Sequence, residues 1–106
     1  MTLIAVTTTV AQQADAQRMA KTIVERRLAA CAQICAIESF YRWDGAVQNE
    51  AEWRIEFKTT AEQYPAIEAA IRELHPYELP AISAVAVESV FEPYARWVAE
   101  GSRPQE

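Results

Sequence analysis

The sequence predicts an α+β fold of the ferredoxin-like, split β-α-β kind. It has a four-stranded antiparallel sheet with two helices on one face, a long hairpin between the second and third strands and a short C-terminal helix. Three observations carry this expectation. Short β-branched runs alternate with stretches of helical periodicity in the order β-α-β-β-α-β. Asp44-Gly45 separates the second and third β runs, and a type I′ hairpin turn favours that pair because it needs positive φ at both central residues. The 106 residues, 51% apolar and 24% charged, suit one domain (1–106) with a small core.

Each element has its own signal. Leu3 to Thr9 (LIAVTTT) is β-branched and short, and reads as a strand. From Gln13 to about Ala30, Ala16, Met19, Ala20, Ile23, Val24, Leu28 and Cys31 recur at helical spacing, with Arg18, Lys21, Glu25 and Arg26 on the other face. Gln33 to Trp43 is the second strand. Val47 to Thr59 is the third, with Val47, Ala51, Trp53, Ile55 and Phe57 on one face and Gln48, Glu50, Glu52, Arg54, Glu56 and Lys58 on the other. Glu62 to Leu74 is a helix with the stripe Tyr64, Ile67, Ile71 and Leu74. Thr60 and Gln63 resemble a capping box at its start, and Pro76 forces His75 out of the helical region at its end. Ala81 to Glu88 is a fourth strand, apolar on both faces. Pro93, Tyr94, Trp97 and Val98 mark the closing helix, and residues 101–106 read as a loose tail.

Composition excludes several functions. No apolar run approaches the roughly 20 residues of a spanning helix. The N-terminus lacks a signal-peptide pattern, so the expected location is the cytoplasm. A net charge of −5 disfavours nucleic acid. The only glycines are Gly45 and Gly101, which leaves no glycine-rich phosphate loop. No nucleophile stands beside a base in a recognisable motif, so no catalytic residue is assigned and the chain is not expected to be an enzyme.

One mismatch of length bears on assembly. The second helix spans about 20 Å at 1.5 Å per residue, whereas the third strand runs about 40 Å. The hairpin must project past the helices, carrying Phe40, Tyr41, Trp43 and Trp53, and the second face of the sheet has no covering layer. A lone aromatic hairpin is neither stable nor soluble, so it is expected to pack on other copies of the chain. The tryptophans Trp43, Trp53 and Trp97 read as packing residues. Cys31, closing the first helix, and Cys35, in a strand, lie too far apart for a disulfide and read as buried, reduced thiols. His75 is the only histidine. At a helix end the dipole favours its protonated form, and it reads as a metal ligand, an acid or base, or a partner of the dipole.

Several blocks resemble the CutA family of divalent-cation tolerance proteins. They are Glu25-Arg26-Arg27-Leu28-Ala29-Ala30-Cys31, Ser39-Phe40-Tyr41-Arg42-Trp43-Asp44-Gly45, Glu52 with Lys58-Thr59, His75-Pro76-Tyr77-Glu78-Leu79-Pro80, and Tyr94 with Trp97. The resemblance runs from Leu3 to about Trp97. It implies a ferredoxin-like subunit, a homotrimer held through the hairpin and sheet edges, a cytoplasmic location, and a role in tolerance of divalent metals with copper binding in some members. Three departures stand out. Cys35-Ala36 replaces a frequent Pro-Gly, Thr7-Thr8-Thr9 stands where copper-binding members carry a cysteine, and Leu74 precedes a single His75 where some have two histidines.

Two readings of the charged strand face therefore stand side by side. It is a solvated, cross-strand-paired surface, or it is one wall of an intersubunit ligand cleft of Tyr41, Trp43, Glu52, Lys58, His75 and Tyr77, suited to a small anionic or metal-bound ligand. His75 is the candidate metal ligand, with Glu50, Glu52 or Glu78 of a neighbour completing the set for Cu²⁺ or another divalent cation. With one imidazole, copper binding is expected to be weak and His75-dependent. The alternative function is a trimeric small-molecule sensor that acts on a partner protein.

Overall fold

The β-branched run at the N-terminus becomes a central strand. In the computed structural model, which describes residues 1–103, the chain forms β1 (Leu3–Val10), α1 (Gln13–Glu25), β2 (Cys31–Trp43), β3 (Ala46–Thr60), α2 (Tyr64–Leu74), β4 (Ile82–Ala86) and α3 (Glu92–Gly101), with a 3-10 turn at Ala61–Gln63 leading into α2. The sheet order is β2-β3-β1-β4 with every pair antiparallel, the ferredoxin-like arrangement. Ile4, Val6 and Val10 of β1 and Ile55 and Phe57 of β3 face α1 and α2. There they meet Ala16, Met19 and Ile23 of α1 and Ile67 and Ile71 of α2. Burying each large side chain of this core contributes about 1.5–3 kcal/mol, so the two helical stripes and the alternating strands specify the same layer.

Several boundaries differ from the sequence expectation, each for a local reason. α1 stops at Glu25 rather than near Ala30, because Arg27 adopts φ 61 and supplies the left-handed stop usually given by glycine. The amides of Arg27 and Leu28 bond the carbonyls of Val24 and Ile23, the paired contacts of a Schellman motif. Left-handed backbone costs a non-glycine residue about 1–2 kcal/mol. Two charge-assisted bonds from the Arg27 guanidinium, to the carbonyls of Glu100 at 2.6 Å and Arg103 at 2.8 Å, offset it. Cys31 therefore opens β2 instead of closing a helix. The capping box at Thr60 does not form: Thr60 makes no capping bond, and the Gln63 amide donates to the Ser102 carbonyl.

The C-terminal segment is the other correction. Gly101, expected to begin a loose tail, ends α3, where a Cβ would lie 2.9 Å from that of Ala30. Ser102 is buried, and its hydroxyl donates to the Val98 carbonyl. Residues 104–106 of the expected tail lie outside the described residues. The second face of the sheet is not wholly bare, since Ala95 and Val98 of α3 pack on Leu3. β4 is shorter than expected and largely exposed, because it is an edge strand with β1 as its only neighbour in the sheet.

The hairpin follows the expectation. β2 and β3 pair from Cys31–Lys58 to Trp43–Ala46, and Asp44 (φ 53) and Gly45 (φ 76) form the turn. β1 ends opposite Trp53, so the hairpin continues past its last β1 pair toward the turn, in a molecule 45 Å long. Phe40 is 68% exposed and Trp43 52%, so this stretch of the chain presents aromatic surface. Nothing lies within 4 Å of a Cβ built on Gly45, so a substitution there acts through the backbone alone. Gly45→Val is expected to cost about 1–2 kcal/mol, read as a lower melting temperature, while Gly45→Asn stays close to the parent. Equal melting of the valine variant and the parent would contradict the turn's role.

Candidate functional site

Where β3 outruns β1, the loop between α2 and β4 takes the vacated place beside it. Pro76 holds His75 in extended backbone (φ −79, ψ 133), and the chain turns from the α2 layer back toward the sheet. Two contacts pin this loop. The His75 Nε2–H donates to the carbonyl of Thr9, near the end of β1, at 2.8 Å, and the Tyr77 amide donates to His75 Nδ1 at 3.1 Å. The Tyr77 hydroxyl then donates to Glu52 Oε2 at 2.6 Å. Glu52 is only 6% exposed, so the charged face of β3 is not uniformly solvated. The phenol supplies a bond worth about 1.5–3 kcal/mol to a buried carboxylate.

Between loop and hairpin lies a cleft of about 740 Å³. Tyr41, Trp43, Glu50 and Glu52 line it from the hairpin, and Tyr77, Glu78 and Leu79 from the loop. Four of the six residues expected in one cleft, Tyr41, Trp43, Glu52 and Tyr77, thus come together. His75 stands behind the wall, stacked against Tyr77 at 4.8 Å between ring centres. Within one chain Lys58 does not join them. It lies six residues along β3 from Glu52, about 20 Å away at strand spacing, with its ammonium 2.6 Å from Glu56. Glu50, Glu78 and Leu79 also line the wall. The sequence reading offers Glu50 and Glu78 as neighbour-supplied metal ligands, and it quotes Leu79 only as a member of the His75–Pro80 block.

The electrostatics of the cleft are acidic. Glu50, Glu52 and Glu78 line it, whereas Glu38 alternates to the other face of β2 and accepts from the Asn49 amide, and among the described residues of this chain no Lys, Arg or His lines the wall. The pKa of Tyr41 is raised, by loss of water and then by Glu50 and Glu52. That of Tyr77 is raised by burial first and then by its bond to Glu52. An anionic ligand, one of the sequence expectations, finds no positive partner in this wall. The two thiols lie elsewhere, both on β2: Cys31 is half-buried with its sulfur 3.6 Å from the Tyr94 hydroxyl, and Cys35 is exposed rather than buried. Trp53 packs on the core as expected, whereas Trp43 and Trp97 are exposed in the single chain.

His75 also departs from expectation in its charge. Burial lowers its pKa below 6.5, and this outweighs the Thr9 carbonyl and the charges of Glu52 and Asp15, which act the other way. Both ring nitrogens are engaged by backbone, so a metal could reach the ring only by breaking one of those bonds. As pH falls through 6.5 the unfolded chain takes up the proton first. Stability tied to His75 is therefore complete above about pH 6.5 and declines below it. The expected result is a melting temperature that drops between pH 7.5 and 5.5 in the parent and drops less in His75→Gln. Identical pH slopes would show that His75 does not carry the effect.

With this geometry described, comparison with known proteins gives a consistent result. A family model, the CutA1 divalent ion tolerance protein, matches residues 4–101. The divalent-cation tolerance protein CutA of Pyrococcus horikoshii is 34% identical over 101 residues, covering 95% of this chain and 99% of the relative. The Thermotoga maritima protein of the same name is 37% identical over 98 residues, covering 92% and 97%. Among solved structures, CutA from Synechococcus elongatus superposes with a TM-score of 0.93 at 36% identity, covering 96% of this chain and 91% of that one. The protein described as the periplasmic divalent cation tolerance protein CutA from Archaeoglobus fulgidus gives 0.92 at 28%, covering 95% and 99%. A sheet, hairpin and loop built in this way, with matches of this extent, place the chain in the CutA1 divalent ion tolerance protein family.

Proposed function

We propose that this chain is a homotrimeric binding protein that serves tolerance of, and response to, divalent metal ions in the cytoplasm, with the cleft between hairpin and loop as its ligand site. The observation that supports this reading best is the unfinished hairpin. Its aromatic outer part has no covering layer in one chain, and β2 and β4 are both sheet edges. Exposed edges and apolar hairpins are the features that association between copies covers. The exposed Phe91, Tyr94 and Trp97 of the α3 region offer a second apolar surface for the same purpose.

A divalent cation such as Cu²⁺ would be held weakly. Among the described residues no group of three or more His, Cys, Asp or Glu side chains is placed to hold a metal ion. Glu50, Glu52 and Glu78 would contribute through the cleft and a neighbouring copy would complete the set, with His75 positioning the loop. Carboxylates suit harder ions better than copper. A cytoplasmic location suits the two free thiols, Cys31 and Cys35. The second reading, a small-molecule sensor that acts on a partner protein, is favoured by the aromatic wall of Tyr41 and Trp43, which a bare metal ion does not need.

Light scattering at micromolar concentration is expected to give three times the chain mass, and a monomer would overturn the assembly. Competitive titration with Cu²⁺ and Zn²⁺ is expected to show micromolar or weaker binding that falls in Glu50→Gln and Glu78→Gln. Nanomolar binding that survives both substitutions would move the metal site away from the cleft, with Cys31 and Cys35 the next candidates.

A further inference from the structure

We propose that the cleft binds a small organic ammonium ion, its charge held by Glu50 and Glu52 and its carbon groups packed on Tyr41 and Trp43. This rests on the cleft being the ligand site, as read above, and names the class of ligand it takes. About 740 Å³ is far more than a dehydrated metal ion fills, and it lies within the range of small-molecule sites. The second element is the pairing of groups. Tyr41 and Trp43 alternate along β2, and Glu50 and Glu52 along β3, with Ser39 directly opposite Glu50 and Ile37 opposite Glu52. Side chains two apart on a strand share a face, so this face of the hairpin sets two aromatic rings next to two carboxylates.

Aromatic faces attract an ammonium through the ring quadrupole, and its alkyl groups pack on the same rings. A carboxylate beside them supplies the countercharge. The same wall repels anions, since Glu50, Glu52 and Glu78 line it and no basic side chain does among the described residues of this chain. Glu52 carries the most specific indication. It is buried, its Oε2 is taken by the Tyr77 hydroxyl, and its Oε1 has no hydrogen-bond partner among the described residues while the side chain lines the cleft. Among the described residues the one buried side-chain oxygen without a partner is Thr8 Oγ1, so Glu52 Oε1 is open to solvent in the cleft and its charge is available to a cation.

Calorimetric titration of the full chain, freed of metal by a chelator, distinguishes the outcomes. The probes are choline, its uncharged isostere 3,3-dimethylbutan-1-ol and the anion 3,3-dimethylbutanoate. Choline is expected to bind saturably and about tenfold more tightly than the alcohol, with no binding of the anion. Glu50→Gln and Trp43→Leu each alter a side chain exposed in the single chain and are expected to weaken choline by about fivefold or more, and Glu50→Gln is nearly isosteric should the tryptophan variant fail to fold or assemble. Equal binding of alcohol and choline, preference for the anion, no choline binding, or choline affinity unchanged in Glu50→Gln would each overturn the inference. If Cu²⁺ or Zn²⁺ binding responds to Glu50→Gln while choline does not bind, the ammonium inference fails and the cleft remains the ligand site. A monomer that binds choline selectively keeps the inference and removes the trimer.

Discussion

Much of the molecule follows from unequal strand lengths at the centre of the sheet. β3 has 15 residues and β1 only eight, so β3 loses its β1 neighbour beyond Trp53. Backbone and side chains in that stretch need other partners, since buried polar groups without them are costly. The loop from Pro76 to Ala81 takes up part of this role. It lies beside the free length of β3, and its Tyr77 hydroxyl reaches the carboxylate that would otherwise be buried alone. The cleft is the space left between that loop and the outer hairpin. The candidate site is thus a consequence of a sheet whose inner strands do not match.

Two side chains tie the loop and the C-terminal helix to the sheet layer, and both work through backbone groups. His75 joins the end of β1 to the start of the loop, and its two nitrogens use one donor and one acceptor, which requires a neutral ring. The helix dipole favours a charged imidazole at a C-terminus, but only by about 0.3–1 kcal/mol at an exposed site. Burial weighs more at 8% exposure. Arg27 does the parallel work at the opposite end of the sheet. It accepts an unfavourable φ to end α1 and spends its guanidinium on the carbonyls that close α3.

The second face of the sheet is divided by charge and cover. At the α3 end, Lys58 is paired with Glu56, and Cys31 lies against Tyr94, whose pKa rises to about 12, through burial first and then the thiol. At the hairpin end Glu50 and Glu52 have no ion-pair partner among the described residues, and Phe40 and Trp43 are exposed. One continuous strand pair therefore carries a packed end and an end open to ligand or neighbour. Family membership agrees with the whole of this framework, from the first core residue to the last turn of α3.

The sequence by itself determined the element order, the hairpin turn and the core. Period-two alternation in β3, helical stripes in α1 and α2, and Asp44-Gly45 are local signals, and each is read from residues a few positions apart. It also grouped Tyr41, Trp43, Glu52 and Tyr77, which line one cleft, through motif blocks that resemble a known family. Tertiary structure decided what depends on distant residues. Within one chain Lys58 stands apart from the cleft, because strand spacing carries it about 20 Å from Glu52. Arg27 ended a helix that shows no glycine, because carbonyls some 70 residues later reward its strained backbone. His75 became a neutral strut because Thr9, far away in sequence, presents a carbonyl to it. Periodicity encodes which face is buried, whereas burial depth and hydrogen-bond partners are set only when separate elements meet.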